Sequence, residues 1–165
     1  LGAALQQRGC SFTGRETVGP FQKLSFGQQV DAIANDLQAD FWHDQARVIA
    51  NSYGAYLFWH AQAQLPAFPG KVLLLSPVIG SARSPDCRIE FRPPRAERLM
   101  QMAVRGELMT PRQCETHVGD LDWQCPVERL RAFYSALDLP LNEAHGGGHL
   151  LDRNYISSVL DQWLK

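Results

Sequence analysis

The sequence lacks any apolar run approaching the roughly 20 residues that a membrane-spanning helix needs. No charged-then-apolar leader opens it, so a cytoplasmic protein without a membrane span is expected. Net charge is also scarce: 16 Lys and Arg against 17 Asp and Glu leave -1 at pH 7. A general nucleic-acid binder carries a strongly basic face, and this balance argues against one. Cysteine is sparse, with Cys10, Cys87, Cys114 and Cys125 scattered and no C-x-x-C pair. That spacing excludes a zinc knuckle or a dithiol motif, and free thiols are expected. Internal repeats and low-complexity segments are absent too.

What is present suits one globular domain. The chain has 165 residues, 45% of them hydrophobic and 20% charged. Length and composition of this kind support a single core across residues 1–165. Two short apolar runs, Arg47 to Ala50 and Lys71 to Leu75, lack period-two alternation. Both therefore read as strands covered on each face, as in a parallel sheet between helices. Weaker strand candidates are Cys10 to Phe12, Glu115 to Val118 and Leu141 to Ala144.

Helical spacing fills the intervals. Ser25 and Gln28 form a capping-box pattern ahead of the stripe Phe26, Val30, Ile33 and Leu37. Val127, Leu130, Phe133, Tyr134 and Leu137 make a second stripe. Asp152 is placed to cap a third, with Tyr155, Ile156, Val159, Leu160, Trp163 and Leu164 on one face. A short helix is expected from Leu1 to Gln7, ended by Gly9. This alternation predicts an α/β fold, a three-layer α/β/α sandwich around a mainly parallel sheet. Residues 78–113 interrupt it with Pro85, Pro93, Pro94 and Pro111 and a helical piece near Ala96 to Val104. So long an excursion is uncommon in a compact domain. A short cap over a site and a solvated surface excursion are both open readings, and its net charge of +3 over residues 83–105 would suit an anionic substrate or a solvated face.

Three segments carry chemistry. Ala50-Asn51-Ser52-Tyr53-Gly54 follows a buried strand and opens a helix, the setting of a nucleophile elbow. Small residues at Ala50 and Gly54 permit a tight turn, and the Tyr53 N–H then faces a developing oxyanion. A serine needs a base, and the base needs an orienting acid. Gly119-Asp120-Leu121-Asp122-Trp123-Gln124-Cys125-Pro126 supplies acids after a predicted strand. His145-Gly146-Gly147-Gly148-His149 supplies bases after the last one. Two histidines around glycines suit a metal as well, but no suitably spaced third ligand is evident, so neither metal nor cofactor is expected.

These segments resemble the α/β-hydrolase superfamily, in particular its small serine hydrolases with a minimal cap. The acid stretch is similar to the motif G-x-x-D-x-x-V-P, with Cys125 where the motif has Val. The base stretch is similar to the G-x-G-H loop. The resemblance implies Ser52 as nucleophile, Asp122 rather than Asp120 as acid, His149 as base and Tyr53 as oxyanion donor, with Asn51 and Trp123 as possible pocket lining. It implies hydrolysis of a small carboxylic ester, or of a thioester or amide, through an acyl-enzyme without a cofactor. The alternative is a catalytically silent domain that binds a small ligand or a protein partner.

The chain departs from the family at Ala50, where the first elbow glycine is expected. It begins at Leu1, where the family's first helix begins, so an N-terminal strand and a second oxyanion donor are expected to be missing or improvised by Leu1 or Gly2. His43, His60 and His117 read as surface or strand histidines. Trp42, Trp59, Trp123 and Trp163 read as core or near-core.

Overall fold

The computed structural model describes residues 1–165. Helices α1 (Gly2–Gln6) and α2 (Phe26–Asp40) come first. Strand β1 (Arg47–Asn51), helix α3 (Tyr53–Gln62) and strand β2 (Lys71–Leu75) follow. The excursion holds β3 (Ala82–Arg83), β4 (Glu90–Phe91) and α4 (Arg98–Val104). The chain closes with β5 (Gln113–Gly119), α5 (Val127–Ala136), β6 (Asn142–Ala144) and α6 (Arg153–Trp163).

The capping box is present: Gln28 N–H donates to Ser25 Oγ at 3.4 Å and Ser25 N–H to Gln28 Oε1 at 2.9 Å. Asp152 caps α6 through bonds from Asn154 and Tyr155 N–H. Each satisfies backbone donors that a first helical turn leaves without partners.

The main sheet runs β1-β2-β5-β6, parallel throughout, and β3 and β4 form a separate antiparallel pair. Its two faces bury different helices. Val72 and Leu74 face a core of 25 buried residues that includes Val30 and Leu37 of α2, Ala55 to Trp59 of α3, Leu99 of α4 and Leu130 and Phe133 of α5. Leu73 and Leu75 face a core of eight, with Leu5 of α1 and Val159, Leu160 and Trp163 of α6. Alternation at period two along β2 thus feeds both faces, which is why the run reads as continuously apolar. The architecture is the expected α/β one, helices on both sides of a parallel sheet.

Several expectations need correction. Cys10 to Phe12 form no strand: no backbone hydrogen bond involves residues 11–19, and the Phe12 side chain is exposed. A strand exists only through its ladder, and the sheet ends at β1 without recruiting this segment. His60 lies on α3 and is 2% exposed, so it is neither a surface nor a strand residue, whereas His117 is a strand histidine, buried in β5. Trp59 and Trp163 are buried and Trp42 packs against the larger core, as read, whereas Trp123 is partly exposed and joins neither core. The excursion is ordered by its packing, since Leu99 and Ala103 of α4 enter the larger core and Tyr56 of α3 donates to the Pro94 carbonyl at 2.6 Å.

Candidate active site

Because the sheet is parallel, the carboxyl ends of all four main strands meet at one edge. Chemistry gathers at such an edge in open α/β sheets. Ser52 stands between β1 and α3 with φ 50° and ψ -118°, a conformation that side-chain-bearing residues rarely adopt. The turn is held by Ser52 N–H to the Leu75 carbonyl at 2.9 Å, and the Ser52 carbonyl accepts from Ala55 N–H at 3.1 Å. Tyr53 is the first residue of α3, so its N–H has no intrahelical acceptor. Its ring leans on Tyr56, and its hydroxyl donates to Gln29 at 3.1 Å, with burial raising the phenol above its ordinary range.

Ser52 Oγ lies 2.8 Å from His149 Nε2, and His149 Nδ1 lies 2.8 Å from Asp122 Oδ2. The Asp122 side chain is fully buried and that of His149 is 18% exposed. Asp122 Oδ1 accepts Gln124 N–H at 2.9 Å and Cys125 N–H at 3.1 Å. Those bonds hold the carboxylate and compensate for its removal from water.

The acid and base loops are stitched together. Asp120 and Leu121 N–H donate to the Ala144 and Gly147 carbonyls at 3.2 and 2.9 Å. At Gly119 the Gly147 peptide packs directly on the Cα, leaving no room for a side chain. Gly119, the opening glycine of the acid stretch, is therefore a contact surface for the base loop. Gly54 has no such constraint: a Cβ there would meet nothing within 4 Å, so the expected requirement for a small residue does not arise at that elbow position.

The competing residues go elsewhere. His145 Nδ1 pairs with Asp120 at 2.9 Å, with the His145 ring fully exposed. Asn51 is exposed and Trp123 partly so, beside Ser52 and Asp122 in the chain.

Ser76 escaped the sequence reading. It follows β2, the one main strand end that no motif marked, and is 1% exposed at φ 45°. Ser76 Oγ donates to the His149 carbonyl at 2.8 Å, and its own carbonyl accepts the Cys125 thiol at 3.0 Å. Its N–H bonds the His117 carbonyl at 2.8 Å. One serine therefore ties the acid and base loops to the sheet. Cys125 also lies 3.7 Å from His149 Nδ1, and burial and the Asp122 carboxylate push its thiol well above the usual range. Asp122, Cys125 and His149 present ligand atoms within 4.8 Å of one another. His145 is not part of this cluster: Asp122 and Cys125 come from the acid loop, so spacing around the histidine pair did not reveal it.

No family model and no curated protein matches the chain. Solved structures do. A monoacylglycerol lipase from Paleococcus ferrophilus matches with a TM-score of 0.60 at 15% identity, over 86% of this chain and 75% of that one. A serine hydrolase without lid from Xanthomonas campestris matches with a TM-score of 0.57 at 18% identity, over 90% and 62%. Esterase PE8 matches with a TM-score of 0.54 at 18% identity, over 82% of this chain and 59% of the esterase, so this chain spans well under two thirds of that protein. Such identities carry the fold rather than the substrate. By the order of its strands, its layering and these likenesses, the chain has the fold of the α/β-hydrolase superfamily.

Proposed function

We propose that this domain is a serine hydrolase that cleaves small carboxylic esters through an acyl-enzyme. The observation that carries the reading is the continuous hydrogen-bonded series Ser52–His149–Asp122, 2.8 Å at each step, ending in a buried carboxylate. In this reading His149 Nε2 accepts the Ser52 proton as Oγ attacks the ester carbonyl carbon. The Tyr53 N–H, at the positive end of α3, stabilises the oxyanion. His149 then gives its proton to the departing alcohol. A water that loses its proton to His149 next attacks the acyl-enzyme, releasing the carboxylic acid and restoring Ser52. Asp122 keeps the Nδ1–H tautomer and offsets the imidazolium charge.

Thioesters and amides share this chemistry, and hydrolases named as esterase, lipase and lidless serine hydrolase share the fold. We take residues 1–165 as one domain, with residues 78–113 seated on the main core through α4. The free thiols of Cys10, Cys87, Cys114 and Cys125 support a reducing, cytoplasmic setting.

Turnover of short-chain p-nitrophenyl esters tests the activity. Wild type is expected to hydrolyse them, and Ser52→Ala to lose about 10⁴-fold or more. Equal rates for the two proteins would defeat the proposal.

A further inference from the structure

Cys125 stands in the acid stretch where the resembling motif has Val, and it changes what the site can bind. Cys125 is 1% exposed and its sulfur lies 3.7 Å from His149 Nδ1, with the Asp122 carboxylate in the same cluster. A tetrahedral zinc ion with ordinary bond lengths separates thiolate, imidazole and carboxylate ligand atoms by about 3.3–3.7 Å. The sulfur and the imidazole nitrogen already have that separation. His149 Nδ1 and Asp122 Oδ2, at 2.8 Å, need only part by about 0.5 Å. The Ser76 carbonyl, 3.0 Å from the sulfur, is an oxygen available for a fourth position.

We propose that Asp122, Cys125 and His149 form an inhibitory site for a thiophilic divalent cation, with Zn²⁺ the best fit. The ion replaces the thiol proton, which leaves to solvent. One thiolate, one carboxylate and one neutral imidazole then balance its two positive charges, which matters in a buried site. The consequence for catalysis rests on the serine-hydrolase reading. Metal on Nδ1 forces the ring proton onto Nε2. That nitrogen then faces Ser52 as a donor and cannot accept its proton, the wrong tautomer for a general base. Asp122 is drawn off the ring by the same ion.

Two readouts test the site separately. In the first, metal-free protein is titrated with Co²⁺, whose thiolate charge-transfer absorption reports sulfur ligation without reference to activity. Wild type is expected to show the band at one equivalent, and Cys125→Val and His149→Ala to lose most of it. Exposed Cys87 and the partly buried Cys10 and Cys114 contribute whatever band survives in Cys125→Val. No band in wild type, or an equal band in Cys125→Val, overturns the proposal. If Cys125→Val fails to fold by circular dichroism, Cys125→Ser removes the thiolate at similar volume.

In the second, Zn²⁺ is expected to slow fluorophosphonate labelling of wild type about 10²-fold or more, reversed by chelator. The ratio of labelling with and without zinc, taken within each protein, should approach one in the Cys125 variant. Equal zinc inhibition in both proteins would contradict the assignment. Absence of labelling in metal-free wild type would instead count against the hydrolase reading, leaving the cobalt result to decide the metal site alone.

Discussion

The same two loops contain two Asp–His pairs of nearly equal length. Asp122 and His149 are 2.8 Å apart, and Asp120 and His145 are 2.9 Å apart. Their surroundings differ completely. The Asp122 side chain has no exposure and accepts two further backbone bonds, while its histidine reaches Ser52. Asp120 is partly exposed, and His145 is fully in water with no nucleophile beside it. Proximity alone therefore does not distinguish a reactive pair from a surface ion pair. Burial makes the first pair's electrostatics strong, and solvent screens those of the second.

Neutralising each carboxylate separates the two pairs most widely. Asp122→Asn is expected to lower kcat on p-nitrophenyl butyrate about 10⁴-fold, because the amide no longer fixes the Nδ1–H tautomer. Asp120→Asn and His145→Ala should stay within about twofold, as befits a screened pair. Comparable losses in the two pairs would erase the distinction drawn between them.

Gly119→Ala attacks the packing that makes the inner pair possible. The new methyl group would occupy the space of the Gly147 peptide, so the loop bearing His149 must move. Displacement of a base by about 1 Å can cost about 10²-fold in rate. The crystal structure of the variant should show a shifted His149, and full activity would mean that the loop yields without consequence.

A smaller effect is expected at Ser76. Ser76→Ala leaves the His149 carbonyl without its bond, a loss of about 1 kcal/mol, read as roughly fivefold in kcat with KM unchanged. Ser76→Gly separates hydroxyl from backbone, since glycine suits the φ of 45°. If the hydroxyl matters, both variants lose kcat alike; recovery in Ser76→Gly would assign the effect to backbone strain.

His60 provides a contrast outside the site. Burial, with Arg95 and Arg98 nearby, lowers its pKa from 6.5 to about 4. Between those values the unfolded chain binds the proton and the folded one does not. Stability is therefore full above the unfolded pKa and falls as pH drops toward 4, by at most about 1.4 kcal/mol per pH unit. Urea denaturation at pH 7 and 5 should show that loss in wild type and a smaller one in His60→Gln.

Features set by local chemistry were legible in the sequence. The apolar run at Val72 announced a covered strand, the Ser25 and Asp152 caps announced helices, and glycines around Asp122 and His149 marked the loops that meet. The run at Val48 announced a strand but not its place: β1 lies at the sheet edge and none of its residues is buried. Features depending on distant neighbours were not. Cys10 to Phe12 has strand-like residues, but a ladder needs a partner that the residues themselves do not encode. His60 reads as polar, and its burial follows from Phe26 and Tyr56 closing over its ring. Ser76 is a lone serine whose role appears only when three strand ends converge. Cys125 becomes a neighbour of His149 for the same reason.

Labelling by a fluorophosphonate, with the modified residue identified by mass spectrometry, asks whether His149 activates Ser52. One adduct per chain is expected, on Ser52, absent from His149→Ala and retained in His145→Ala. A well-folded wild type that takes no label, or takes it on another residue, would contradict that expectation.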